Sequence, residues 1–130
     1  MSEPPPEPQL SDAERAAIRT GFAQFNAGRF FECHDTLEEV WSGVRGSSRD
    51  FFQGLIQVSV AFYHLTRGNL AGAESLLERA LGRFRKYPDR YVGFDLGRHR
   101  AEITAWLDRI RTGEVSGLSL GDLPKWELGA

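Results

Sequence analysis

Apolar residues recur every three or four positions through most of this chain, and this period constrains the fold more than any other feature of the sequence. The clearest case lies between Asn69 and Pro88. The stripe there consists of Leu70, Ala73, Leu76, Leu77, Ala80, Leu81, Phe84 and Tyr87. Such spacing places the stripe on one face of an amphipathic helix. Because no segment shows sustained alternation of polar and apolar residues, the sequence predicts an all-α domain.

Similar patterns predict a compact bundle of about five helices. The expected helices cover residues 12–26, 29–44, 49–67, 69–87 and 95–113. Ser11 followed by Glu14 is a capping-box pattern, and Ser48, Asn69 and Asp95 are the expected caps of later helices. The third helix is apolar on nearly every side, so we expect it at the centre of the domain.

The length of 130 residues fits one domain with short extensions at both ends. Residues 1–10 contain four prolines and two glutamates, which predicts a disordered proline-rich arm. The helical domain is then expected over residues 11–113. Residues 114–130 are rich in glycine and include Pro124, so we expect a C-terminal tail.

Several features favour a cytoplasmic protein without a membrane span. The longest apolar segment, residues 51–65, is interrupted by Gln53, Gln57 and His64, and the start of the chain lacks the pattern of a secretion signal. Cys33 is the only cysteine. An internal disulfide and a cysteine-based zinc site are therefore excluded.

The charge is nearly balanced overall but unevenly distributed. The formal net charge is −2, whereas residues 66–111 hold ten basic against six acidic residues. Arg79, Arg83 and Lys86 recur at helical spacing, which indicates either a solvated face or a surface for an anionic partner. Acidic residues are interleaved with them and no aromatic residues are set out for base stacking. We therefore expect the solvated face and do not expect nucleic-acid binding.

Polar residues border the apolar stripe of the second helix. At 100° per residue, His34, Glu38 and Trp41 fall within a narrow arc. His34 and Glu38 are one turn apart, close enough for the imidazole and the carboxylate to interact. By the same geometry Asp35, like Glu32 and Glu39, should point away and be solvated.

The third helix carries a second polar stripe. Gln53, Gln57 and His64 line up along one side of it, with Gly54 and Ala61 beside them. A short turn joins this helix to the second, so we expect the second helix to pack on the stripe. The predicted polar cluster between the two helices consists of His34, Glu38, Trp41, Gln53, Gln57 and His64.

Three interpretations of this cluster remain open, because buried polar groups are costly unless their hydrogen bonds are satisfied. The favoured one is a closed network in a non-enzymatic interaction or structural module, a homo-oligomer among the alternatives, which needs no cofactor. The second is a metal-binding protein or metal-dependent enzyme with zinc or a related ion on His34, Glu38 and His64. The third is acid–base chemistry by His34, with Glu38 fixing its tautomer.

Two segments carry a resemblance to a known family. They are FNAGRFFECHDTLEEVW at residues 25–41 and QGLIQ at residues 53–57, followed by His64. Over about residues 20–110 the chain resembles the prokaryotic domain-of-unknown-function family 309. The resemblance implies a compact all-helical fold in a bacterial protein. The histidines, glutamate and tryptophan of the family pattern fall on His34, His64, Glu38 and Trp41, but no established activity comes with them.

Overall fold

A computed structural model describes residues 4–115 and 120–128 and confirms the all-α prediction. Within these residues the chain forms five α-helices and one two-stranded hairpin. The elements are α1 (Asp12–Asn26), α2 (Phe30–Gly43), α3 (Arg49–Thr66), α4 (Leu70–Phe84), β1 (Arg90–Tyr91), β2 (Phe94–Asp95) and α5 (Leu96–Thr112), with 3-10 turns at Gly46–Ser48 and Leu120–Asp122. None of the helices in the described ranges combines the length and apolar character needed to cross a membrane.

Local capping signals explain where most of the helices begin. Ser11 and Glu14 form the predicted capping box, since the Glu14 amide donates to Ser11 Oγ at 3.0 Å and the Ser11 amide donates to Glu14 Oε1 at 2.9 Å. Asn69 and Asp95 also accept from backbone amides at the starts of α4 and α5. The Ser48 prediction is wrong. Its side chain makes no capping bond because its backbone is already helical, in the 3-10 turn that leads into α3.

The third helix lies at the centre of the bundle, as predicted. It packs against both α2 and α4, whereas α1 packs on α2 and α5 on α4. Close approach of α3 to α4 depends on Gly54, because a Cβ built there would lie 2.5 Å from Cε1 of Phe84. Phe84 itself is completely buried. Gly54 thus makes its close contact with α4 and not with α2.

The segment between α4 and α5 forms a small hairpin that sequence periodicity does not reveal. Tyr91 pairs with Phe94 across it, and the turn residues Val92 and Gly93 both have positive φ, at 54° and 72°. Such a turn matches the twist of a two-residue hairpin. Strands of two residues are too short to show alternation in the sequence.

Both chain extensions pack against the bundle where the structure describes them. Trp126, within the expected tail, is 1% exposed and stacks on Phe25, with ring centroids 3.7 Å apart and planes 2° from parallel. Asn26 holds the same segment by donating to the Trp126 carbonyl at 2.8 Å and accepting from the Trp126 amide at 2.7 Å. In the N-terminal arm, the carbonyl of Pro6 accepts from the Tyr91 hydroxyl at 2.6 Å. Residues 1–3, 116–119 and 129–130 lie outside the described residues.

Candidate functional site

His34 on α2 lies between two carboxylates. Its Nε2 is 3.0 Å from Glu38 Oε1, one turn along the helix, and its Nδ1 is 3.2 Å from Asp35 Oδ1. The side chains of Asp35 and Glu38 are more than half exposed, whereas His34 is 23% exposed. Asp35 therefore contacts His34 instead of pointing away from it, as helical angles had indicated. We call His34, Asp35 and Glu38 the α2 triad.

The polar stripe of α3 faces α4 instead of α2. Gln57 is 8% exposed, and its Oε1 accepts from Nε of Arg83 on α4 at 3.1 Å. His64 Nδ1 lies 3.3 Å from the side-chain nitrogen of Asn69, the cap of α4. The predicted convergence with His34 is thus replaced by contacts to α4. Angles around one helix fix which residues share a side, but they do not say which neighbouring helix that side meets.

The remaining members of the predicted cluster also have separate positions. Gln53 is half-buried on α3. Trp41 carries the guanidinium of Arg49 4.0 Å above its ring, and Arg49 Nη1 donates to the carbonyls of Trp41 and Val44 at 3.1 and 2.8 Å. Arg49 thereby adds hydrogen bonds to carbonyls at the end of α2. Trp41 is therefore part of the α2–α3 connection.

Cys33 on α2 and Ser59 on α3 are both completely buried. Burial raises the pKa of the Cys33 thiol to about 12, although a hydrogen bond with Ser59 acts in the opposite direction. A thiol that stays protonated is a poor nucleophile. Cys33 is therefore a residue of the core.

A continuous strip of side chains crosses the surface from α2 to α3. The Phe31 ring lies 5.7 Å from both the His34 ring and the Tyr63 ring, and the guanidinium of Arg67 lies 4.8 Å above Tyr63. Phe31 is 53% exposed. We call the surface formed by Phe31, His34, Glu38, Tyr63 and Arg67 the α2–α3 face.

Basic residues of α4 and α5 are engaged by carboxylates. Arg83 contacts Asp50 Oδ1 at 2.6 Å and Lys86 contacts Asp50 Oδ2. The Lys86 hydrogen bond, reinforced by the charges of both cations, lowers the pKa of Asp50. On the other side of α4, Arg111 pairs with Glu74 at 2.7 Å and with Glu78. The positive excess of this region is thus locally neutralised at these positions.

Sequence analysis missed His99, which is 1% exposed in the core. Its ring lies 5.3 Å from Phe94, 5.9 Å from Trp126 and 6.0 Å from Phe84. Burial lowers its pKa to about 3, and its Nε2 is buried without a hydrogen-bond partner. A signal was present, because His99 stands three residues after Leu96 and four before Ile103 on the apolar face of α5.

These observations define a small helical bundle with an exposed triad on α2 and a buried histidine on α5. The resemblance stated above is confirmed, since residues 18–76 match the family described as a domain of unknown function, DUF309.

Two relatives come from bacteria. An uncharacterized protein of Aquifex aeolicus (strain VF5) is 30% identical over 87 residues, which is 66% of this chain and 25% of that protein. The uncharacterized protein YpuF of Bacillus subtilis (strain 168) is 42% identical over 60 residues, which is 45% of this chain and 34% of that protein. The matches thus span about a quarter and a third of the lengths of these relatives.

Proposed function

We propose that this protein is a non-enzymatic interaction module that pairs with a second copy of itself through the α2–α3 face. The observation that supports this most is Phe31, a large aromatic side chain that is 53% exposed in a strip with Tyr63 and His34. Exposed aromatic residues at the centre of a polar surface are typical of protein interfaces.

Charge on the α2–α3 face favours a second copy over an unrelated partner. Contacts run in order from Glu38 through His34, Phe31 and Tyr63 to Arg67, so the face is acidic at one end and basic at the other. A two-fold axis through Phe31 brings the acidic end of each copy over the basic end of the other. The face is therefore complementary to itself.

Two further features agree with this proposal. In both relatives the matched segment is a minor part of a longer protein, as expected for a module that is combined with other segments. The free, buried thiol of Cys33 suits a cytoplasmic location, where cysteines stay reduced.

Replacing Phe31 with aspartate is expected to convert a dimer into a monomer. A buried carboxylate in the middle of the interface has no partner and opposes association. Light scattering after size-exclusion chromatography should give twice 14.6 kDa for the parent chain and 14.6 kDa for the variant. Leu128→Asp changes another exposed apolar residue, far from α2 in sequence, and should leave the dimer intact. A monomeric parent chain at micromolar concentration contradicts the proposal.

The charge arrangement has a separate test. Glu38→Arg and Arg67→Glu should each weaken association by placing like charges together, and the double variant should restore it. Association that is unaffected by both single variants excludes this geometry.

One observation favours a second candidate function, the binding of a divalent metal by the α2 triad. One ligand atom each from His34, Asp35 and Glu38 lie within 4.8 Å of one another. One nitrogen and two oxygens suit zinc, and three protein ligands leave a fourth position open. In this set the third ligand is Asp35 and not the predicted His64, because His64 contacts Asn69.

Zinc added to metal-free protein without a histidine tag is expected to bind at one site, and His34→Ala should remove it. Isothermal titration calorimetry measures both results. His64→Ala is the matched control and should bind as the parent chain does, because His64 lies outside the triad. Loss of binding in His64→Ala, or no binding by the parent chain, excludes a site on the triad.

A further inference from the structure

A cavity of about 380 Å³ lies between the start of α5, the hairpin and the C-terminal segment. Phe94, His99 and Leu123 contribute to its wall, and charged residues surround the opening. Its volume is at the lower end of the range of about 300–1,000 Å³ that is usual for ligand pockets. The lining of the cavity shares no residue with the α2–α3 face.

His99 gives this cavity a polar group that the protein itself leaves unsatisfied. The ring is almost completely buried among aromatic side chains, and its Nε2 has no hydrogen-bond partner. Within such surroundings the imidazole stays neutral, so Nε2 offers a ligand either a donor or an acceptor, depending on the tautomer. A buried polar group without a partner lowers stability unless something bonds to it. The unsatisfied nitrogen therefore indicates a ligand that has polar atoms.

The charges that line the cavity are balanced. Three cations and three carboxylates contribute, namely Arg90, Arg98, Lys125, Asp95, Glu102 and Glu127. No ion pair of Arg90 occurs among the described residues, and Arg98 meets Glu102 only at 3.4 Å. Burial raises the pKa of Glu102 despite that contact, and the carboxylates of Asp95 and Glu127 act in the same direction. Arg90, and Arg98 with its long contact to Glu102, are thus the cations of the lining that can bind an anionic group.

We propose that this cavity binds a free amino acid through both of its charged groups. The ligand carboxylate accepts hydrogen bonds from Arg90 and Arg98, and its ammonium group donates to Glu102. A ring nitrogen of His99 makes a further hydrogen bond, and Phe94 and Leu123 pack on the ligand side chain. A carboxylate meets Arg90 and Arg98 and an ammonium group meets Glu102, so a zwitterion matches charges of both signs on the lining.

Saturation-transfer NMR of the full chain with each standard L-amino acid at about 10 mM tests the proposal, and calorimetry of the strongest binder gives its Kd. That binder is compared with its deaminated carboxylic acid and its decarboxylated amine. The intact amino acid should bind at least about tenfold more tightly than either analogue. Equal binding of one analogue overturns the zwitterion assignment, and no binding of any amino acid overturns the site.

Variants separate the cavity from the rest of the molecule. His99→Phe keeps an aromatic ring in the aromatic shell but removes the ring nitrogens, so it should retain the melting temperature and lose amino-acid binding. Arg90→Gln lies at the exposed rim and should weaken binding about tenfold without affecting the fold. His64→Gln, a histidine outside the cavity, should bind normally. If both single variants, Arg90→Gln and His99→Phe, bind amino acids as tightly as the parent chain, the assignment of the binding site to this cavity is wrong. This outcome does not depend on the oligomeric state.

Discussion

Replacing Trp126 with alanine is expected to lower the free energy of unfolding by about 3–5 kcal/mol, as for other fully buried aromatic residues. The Trp126 side chain is 1% exposed, stacks face to face on Phe25 and touches Phe22 with ring centroids 5.1 Å apart. Removing it opens a cavity between the rings of Phe25 on α1 and His99 on α5. Urea unfolding followed by far-ultraviolet circular dichroism measures the loss.

Two variants show whether stacking explains this loss. Trp126→Phe keeps a ring against Phe25 and removes an indole N–H that is buried without a partner, so it should cost less than about 1.5 kcal/mol. Leu128→Ala, in the same segment but 36% exposed, should change stability little. A loss for Leu128→Ala as large as that for Trp126→Ala means that docking of the whole segment, and not the indole, is being measured.

Gly54→Ala is expected to destabilise the protein by about 1–3 kcal/mol, because the added methyl group overlaps the Phe84 ring. The built Cβ lies 2.5, 2.8 and 3.0 Å from three atoms of that ring, which is fully buried. Alanine in a helix otherwise exceeds glycine in stability by about 0.5–1 kcal/mol, so the clash has to outweigh a favourable backbone effect. Thermal and urea unfolding both measure the net change in the free energy of unfolding.

Gly82→Ala is the matched control. Gly82 lies in α4, and a Cβ there meets nothing within 4 Å, so this variant should gain about 0.5–1 kcal/mol. Combining Gly54→Ala with Phe84→Leu should cost less than the two single changes together, because the smaller side chain makes room for the methyl group. Stabilisation by Gly54→Ala would show that α3 and α4 separate easily.

The parts of the fold that could be predicted, namely the helices and their ends, depend on residues close together in the sequence. The start of α1 follows from a capping box that spans four residues, and the end of α5 follows from Gly113 in a left-handed conformation. Each of these signals acts within one turn of helix. For the same reason the existence and approximate bounds of all five helices were predictable.

The candidate site was predicted less well because it depends on which elements meet. The sequence placed His34 and Glu38 one turn apart, and they do interact. It also placed Gln57 and His64 on one side of α3, but that side meets α4, as the contact of Gly54 with Phe84 makes possible. Helix periodicity contains no information on that choice.

The pair of hydrogen bonds between Asn26 and Trp126 joins residues 100 positions apart, whereas each helix otherwise packs mainly on its neighbours in sequence. Contacts between helices that are neighbours in sequence favour early assembly of the bundle, whereas the contacts of the C-terminal segment with α1 span most of the chain. During synthesis, Phe25 leaves the ribosome about 100 residues ahead of the ring that covers it. Until that ring arrives, the nascent helices carry an uncovered aromatic surface, which is the period in which chaperones and aggregation compete for the chain.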